Sequence, residues 1–560
     1  MSLLPQLVLN APKRSNFDLS YITRFTCTPG PVYPICVQRC LPGDHFEISF
    51  RHLLKTFALK APLMGKMRVK FDVFFVPDRL YVPAFRQNTM DINSFAKGGD
   101  VQFPYFNLKQ SGSNVPYPSE GVAPSHLFDF LGIPVGFKDM IDPADPDEAD
   151  FGYGRLSTKF DARPLLGYLD IWRNYYRNPQ ESWAYAFGRE QGADLYGRIH
   201  AFEASELDDF FEKVCRGDKL NLVPNPSDPN SFGVNDFPNI LDIFLAEGSV
   251  RTPLGGLLLR CYHPDYLTNF IGNDVYNAVQ STAGGGYVVA QNGFSVNQFR
   301  LANKLQKLAE RAIIAGNRYG EYIRAMFGVN TDDKLDIPEF LGSYSELLEF
   351  QDIVNQTRDS SSTPDSADPF TALGASGGRG VNAGGSRKFY INSTEFGNIF
   401  VMFSIIPLPD YYQGVRKELT KTFLSDEFNP QLDRLGWQPV YLSEYCAVPT
   451  GNYEFDEWTS FSPFKRAAGY QPAWLEYMTR TNELHGQFCT TLNYWTIGRS
   501  FMRPIGQYES EVDPSAYIFP TDYNTPFVDD SVGAENFNVQ VAFDIFAKRP
   551  ISKKLMPNLG

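Results

Sequence analysis

Few residues in this chain have the type and spacing of a catalytic or metal site, and each such group lacks the second half of its chemistry. Gly374-Ala-Ser-Gly-Gly378 matches the G-x-S-x-G pattern of a hydrolase nucleophile. That chemistry needs a buried strand before the serine and a helix after it, so that a strained turn presents the hydroxyl. Here the flanks are Thr371-Ala-Leu and Arg379-Gly-Val-Asn-Ala-Gly-Gly, which read as a glycine loop. His263 and Asp265 have the makings of an acid–base dyad, but no Ser or Cys in a recognisable nucleophile setting accompanies them. The acidic run Asp142–Asp150 lacks the glycine turn and ligand spacing of an EF-hand and reads as a solvated loop. Seven cysteines form an odd set with no C-x-x-C pair, and Cys36 and Cys40 have no matching pair nearby. Free thiols in a reducing compartment are the expectation, with no metal and no other cofactor. No phosphate-cradling G-x-x-x-x-G-K-[ST] is present. The sequence does not advertise an enzyme.

What remains is organised charge. Lys548, Arg549, Lys553 and Lys554 cluster near the C-terminus, and Arg68 and Lys70 share one face of an alternating stretch. Arg300, Lys304, Lys307 and Arg311 recur at i, i+4, i+7 and i+11 and form a stripe along a helix. These sit in a chain of formal charge −13, which argues against wholesale neutralisation of nucleic acid but leaves room for a local basic patch.

The elements that must carry these residues are mostly strands. Met67, Val69, Phe71, Val73 and Phe75 alternate with Arg68, Lys70 and Asp72, and Phe46, Ile48 and Phe50 alternate with Glu47, Ser49 and Arg51. A two-residue period sets one face on a core and turns the other outward. The outward face of this pair is expected to carry Arg51, Arg68 and Lys70 together. Strand character returns at 399–406 and at 537–545, where Phe537, Val539, Val541, Phe543 and Ile545 alternate with polar residues. Forty prolines, 45 glycines and 47 phenylalanines suit a loop-rich β-protein with large apolar anchors. Leu165, Leu169, Trp172 and Tyr176 predict a helix over 165–177, opened by Arg163-Pro164. A second helix follows the capping box Ser295-Val-Asn-Gln298 and carries Leu301, Leu305, Leu308 and Ala312 on its apolar face.

The expected organisation is an extended N-terminal arm, residues 1–44, and one β-domain, residues 45–560. Polar, proline-broken blocks at 182–256 and 272–293 read as surface insertions, and 357–387 as a flexible loop. The arm and the tail 546–560 are expected to order through neighbours. There is no signal-peptide pattern and no run long and apolar enough for a membrane span, so folding in cytoplasm is expected.

These pieces, in order, resemble the major capsid protein family of the microviruses, in its gokushovirus-like and gut Bacteroidetes-phage-like branches. The resemblance is carried by Arg14-Ser-Asn-Phe-Asp-Leu-Ser20, Leu41-Pro-Gly-Asp44, Phe74-Phe-Val-Pro77 and Ile171-Trp-Arg-Asn-Tyr-Tyr-Arg-Asn178. It continues through His263-Pro-Asp-Tyr-Leu-Thr268, Arg318-Tyr319, Phe327-Gly-Val329, Pro338-Glu-Phe-Leu-Gly342, Glu395-Phe-Gly397, Tyr411-Tyr-Gln-Gly414, Gly469-Tyr-Gln-Pro472 and His485-Gly-Gln-Phe488. The block between Asn178 and Leu257 is longer than the family pattern, and 272–293 is short where gokushovirus-type members carry a large insertion.

The resemblance implies an eight-stranded antiparallel jelly roll with long loop and helical insertions, assembled as pentamers into a T=1 icosahedral shell around single-stranded DNA. It also implies a virion location after assembly in the host bacterial cytoplasm. The implied partners are a small basic DNA-binding protein, a minor or pilot virion protein and a host cell-surface receptor. Under it, Lys548, Arg549, Lys553, Lys554, Arg68 and Lys70 are candidate DNA contacts, with Phe546 available for base stacking. Arg300, Lys304, Lys307, Arg311 and Trp172 are candidate subunit-interface residues. The competing reading is a carbohydrate-binding or carbohydrate-active β-sandwich, with aromatic loops such as Tyr453–Trp458 stacking on sugars.

Overall fold

The computed structural model describes residues 14–82, 85, 103–106, 122–136, 160–177, 183–187, 198–203, 207, 208, 210, 211, 221, 222, 254–260, 265–268, 271, 272, 337–354, 376–412, 414–433, 436–445, 467–499, 524–531 and 533–551. Its principal strands are β1 (Ser15–Asp18), β2 (Tyr21–Cys27), β3 (Tyr33–Cys40), β4 (His45–Thr56), β5 (Lys66–Pro77), β6 (Glu339–Leu348), β7 (Phe350–Val354), β8 (Ser376–Gly385), β9 (Phe389–Asn392), β10 (Gly397–Leu408) and β11 (Phe537–Arg549). They form two antiparallel sheets. The first has β11 at its centre, paired with β4 on one side and with β1 and β2 on the other; β8 and β9 follow on β4, and β7 on β8. The second runs β6, β5, β10, β3. The protein is therefore mainly β, a sandwich of the kind the alternating residues predict.

The two sheets meet through aromatic residues. Phe50 of β4 lies 4.7 Å, centroid to centroid, from Phe71 of β5, which lies 5.0 Å from Phe403 of β10. Phe543 of β11 and Tyr344 of β6 close the same cluster on Phe50. Each such ring withdraws a large apolar area from water, worth about 1.5–3 kcal/mol per side chain. Buried thiols sit at the edge of this core. Burial pushes Cys36 up to about 11 and Cys40 to about 12, so both are protonated and unreactive at neutral pH.

Three expectations need correction. First, β4 and β5 lie in opposite sheets, so Arg51 faces out from one side of the sandwich while Arg68 and Lys70 face out from the other. Second, residues 15–40 are not an arm awaiting a neighbour. β1 and β2 pair with β11, and β3 pairs with β10, all within the chain. Residues 546–549 belong to β11 and are ordered in the same way. A partner some 500 positions distant is invisible to local periodicity. Third, the second half of the expected flexible loop is strand β8, hydrogen-bonded to β4 and β7.

The glycines of β8 concealed it, and packing is what requires them. A Cβ on Gly378 would stand 2.8 Å from the Ala61 carbonyl oxygen and 3.0 Å from the Pro62 Cα, both backbone atoms. Within the expected surface block 182–256, Leu207, Phe210, Phe211 and Leu254 are buried in the core, so that block is not wholly a surface excursion. The 272–293 block beyond Gly272, and the helix after Ser295, lie outside the described residues. We predict that Gly378→Ala destabilises the subunit by about 1–3 kcal/mol, because backbone on both sides has no room to yield. The matching measurement is a lowered unfolding midpoint in urea with an unchanged m-value.

Candidate assembly and nucleic-acid surfaces

The outer faces of the two sheets differ in kind. Over the second sheet lies a helix, α1 (Arg163–Ile171), continued by a π-helical turn, Trp172–Tyr176. Leu165, Leu169, Trp172 and Tyr176 are buried, as their spacing predicts. Gly167 permits close approach: a Cβ there would meet the Phe400 ring at 2.9 Å. Polar groups on this covered face are paired through the layer. Tyr168 donates to the Val32 carbonyl (3.0 Å) and accepts from the Leu258 amide (2.9 Å), and Tyr176 donates to Asp72 (2.8 Å). Trp172, expected at a subunit interface, is completely enclosed by its own chain, with its indole N–H donating to the Leu259 carbonyl at 2.8 Å. It has no surface to offer a neighbour.

Three buried carboxylates hold this layer. Asp78, just past β5, takes Arg39 in a two-pronged ion pair and accepts from Arg163 at 2.7 Å; Asp161 clamps the other side of Arg163. Asp72 accepts from Arg260 (3.0 Å) as well as Tyr176, and lies 3.3 Å from Lys70. Lys70, a candidate DNA contact, is thus held in an intramolecular pair, and burial lowers its pKa. Arg68 beside it is half-buried. Asp170 accepts from Tyr81 (3.1 Å) and Asn174 (2.8 Å) and pairs with Arg173 at 3.0 Å.

The outer face of the first sheet is open. Register places Lys548 opposite His45 and Asn16, and Phe546 opposite Glu47 and Asp18. Tyr390 flanks Glu47 from the other side. Tyr390 (72% exposed) and Phe546 (53%) therefore stand in one row, two strand spacings or roughly 10 Å apart. Exposed Arg24, Arg51, Lys55 and Lys388 share this face with Lys548. Five cations thus face three carboxylates: Asp18, Glu47, which pairs with Lys388, and Asp544, 3.3 Å from Arg51. In a chain of charge −13 this is a local reversal of sign.

Of the predicted cations, Lys548 lies on this face. Arg549 turns the other way: it donates to the Arg39 carbonyl (2.6 Å), lies 3.4 Å from the Asp44 carboxylate and stacks over Phe46. It ties the end of β11 to the β3–β4 turn, and the alternation of the strand sends it inward where Lys548 goes outward. Lys553, Lys554, Arg300, Lys304, Lys307 and Arg311 lie outside the described residues. The sequence reading missed Arg24, Lys55, Lys388 and Tyr390, which only strand pairing brings onto the same face as Lys548. It also missed Asp78 and Arg163, for which a charged residue directly after the apolar β5 was the available signal.

A second lobe, whose described residues are 265–268, 410–412, 414–433, 436–445 and 467–499, holds a cleft of about 640 Å³ lined by Tyr266, Tyr411, Tyr477, Lys417, Glu444 and Glu476, among others. Its charges are consumed internally. Glu444 accepts from Tyr266 (2.7 Å) and from the Tyr441 amide (2.8 Å), and Lys417 donates to the Pro439 carbonyl (3.0 Å). Among the described residues no group of three His, Cys, Asp or Glu side chains is placed to hold a metal, and no helix is long and apolar enough to cross a membrane.

Two outcomes follow for the covered face. Asp78→Ala leaves Arg39 without its counter-charge and Arg163 with Asp161 alone, and is expected to cost about 3–5 kcal/mol of unfolding free energy in denaturant titration. Burial raises the pKa of Asp170 above its ordinary 3.8, so the folded state holds a proton that the unfolded state releases. Its contribution to stability therefore falls as pH climbs from 3.8 to the raised value, then stays level. Asp170→Asn should remove that component from a plot of unfolding free energy against pH.

Comparison with known proteins agrees with this fold. Residues 8–215 and 268–559 match the family described as "Capsid protein (F protein)". The unmatched gap, 216–267, overlaps the long block after Asn178. The chain is 24% identical to "Capsid protein VP1" of Chlamydia phage 1, with 87% of each chain covered. It is 23% identical to "Capsid protein VP1" of Bdellovibrio phage phiMH2K, covering 87% of this chain and 85% of that one. With a family match across residues 8–215 and 268–559, most of its length, this chain belongs to the phage capsid F-protein family of the microviruses, a family of structural capsid proteins.

Proposed function

We propose that the chain is the subunit of a closed T=1 icosahedral shell, built through pentamers, that encloses single-stranded DNA and turns the open face of its first sheet towards the genome. The observation that carries this reading is the contrast between the two outer faces. One is sealed by α1 and a buried ionic layer; the other carries Lys388 and Lys548 at the end that holds the exposed rings of Tyr390 and Phe546, and Arg51, Arg24 and Lys55 further along the same face. Cations that follow a backbone, interleaved with aromatic platforms, suit a single strand bound without regard to sequence. The acidic remainder of the chain leaves most genome charge to other cations, which fits a small basic DNA-binding protein as co-packaged partner. The proposed cycle has assembly in the host bacterial cytoplasm, a minor or pilot protein in the virion and host-receptor contact on the shell exterior.

The expected behaviour is that the expressed chain sediments as a closed particle with nuclease-protected DNA. Replacing Arg24, Arg51, Lys55 and Lys548 with Gln should leave shells intact while lowering DNA retention. The log–log salt slope should shrink by about 0.7 for each phosphate that is no longer neutralised. Unchanged retention and an unchanged slope would rule out this face as the genome-binding surface. A soluble monomer that binds glycans would support the carbohydrate-module reading instead.

A further inference from the structure

The second lobe carries a segment that leaves the protein body without covering its own apolar residues. Between Lys417 and Asp433 the chain makes a helical turn (Lys417–Thr420) and two 3-10 turns (Leu424–Asp426 and Pro430–Leu432). Leu424 is 91% exposed, Leu419 74% and Phe423 69%; Met478 (71%) and half-exposed Tyr477 stand on the adjoining turn, with Phe428 packed between Tyr477 and Trp474. Together with Leu432, 37% exposed, these residues leave on the order of 900 Å² open, taking roughly 200 Å² for a fully exposed large side chain.

This segment is clamped in place. Lys421 reaches into the lobe to pair with buried Glu476 at 3.2 Å and lies 4.1 Å from the Tyr477 ring centroid. Lys417, also buried, points at the same carboxylate, and Trp474 donates its indole N–H to the Leu432 carbonyl at 3.1 Å. Asp426 caps the turn by accepting from the amides of Thr422 and Phe423. Buried ion pairs are costly to form and weak as a source of stability. Here they fix in place a segment whose Leu419, Phe423 and Leu424 stay open to solvent.

We infer that residues 419–432 with Tyr477 and Met478 are a subunit–subunit contact, seated on a second copy of this chain; the inference rests on the shell reading above. The open area matches the ~800 Å² that each partner contributes to a standard protein interface and exceeds the largest patch of a typical monomer. Exposed carboxylates, Glu418 and Glu427, rim the patch, as a polar border rims an apolar interface centre.

The test uses the full chain. A photo-reactive benzoyl-phenylalanine at position 424 should give chain-to-chain adducts in particles, and the double variant Phe423→Asp/Leu424→Asp should cut particle yield at least tenfold. The conservative Leu424→Met should restore the yield. The unassembled double variant should keep the circular dichroism and melting profile of the parent subunit, since both side chains are open in the monomer. Wild-type particles accompanied by full assembly of the double variant would overturn the inference. So would adducts formed only within one chain or with another virion protein. If the wild-type chain forms no particle at all, the shell reading fails instead, which is a separate result.

Discussion

The structure depends on one strand being held from both sides. β11, the stretch Phe537–Arg549, is hydrogen-bonded to β4 along twelve residue pairs, and its other edge receives β2 and β1 in succession. Every inward side chain of the first sheet's centre is fixed by that register: a shift of one residue would send Phe537, Val539, Val541, Phe543 and Ile545 to solvent and bring Lys548 inside. Because these pairings join residues about 500 apart, the sandwich closes only when both ends of the chain are present. The same strand sets the character of the open face, since it places Lys548 and Phe546 between β4 and β1 on the side that also carries Arg51, Lys55 and Arg24.

The opposite face is governed by buried charge. Asp72, Asp78 and Asp170 sit where an apolar strand meets α1, and each is surrounded by donors from at least two elements. Such groups add little net stability over a well-packed apolar layer, but a misplaced helix would leave several of them unpaired at once. The layer therefore specifies where α1 docks. The result is one face sealed by α1 and one that stays open to solvent, the asymmetry that the proposed shell reading uses.

Much of this was legible in the residues. Strict alternation identified β4, β5 and β11, a continuous apolar run marked β10, and helical spacing identified α1 with all four of its anchors. Periodicity could not say which strands share a sheet, so Arg51 was grouped with Arg68 and Lys70 although they lie on opposite faces. Glycine hid β8, because the feature that lets it pass within van der Waals contact of residues 59–62 is the absence of side chains. Trp172 and Arg549 looked like surface chemistry by type; Trp172 turned out to be enclosed, and Arg549 to be tied to backbone and carboxylate in its own chain. The cationic face was half legible: Lys548 and Phe546 stand out in sequence, whereas Arg24, Lys55 and Tyr390 join them only through pairing.

The central claim is that this chain builds a closed shell with the open face of the first sheet turned inward. A cryo-EM map of particles from cells expressing the full chain tests it most directly. The account predicts fivefold-related subunits in a sixty-copy shell, with Tyr390, Phe546 and Lys548 on the lumenal surface against nucleic-acid density. A shell in which that face lies on the exterior, or material that remains a discrete monomer, would contradict it.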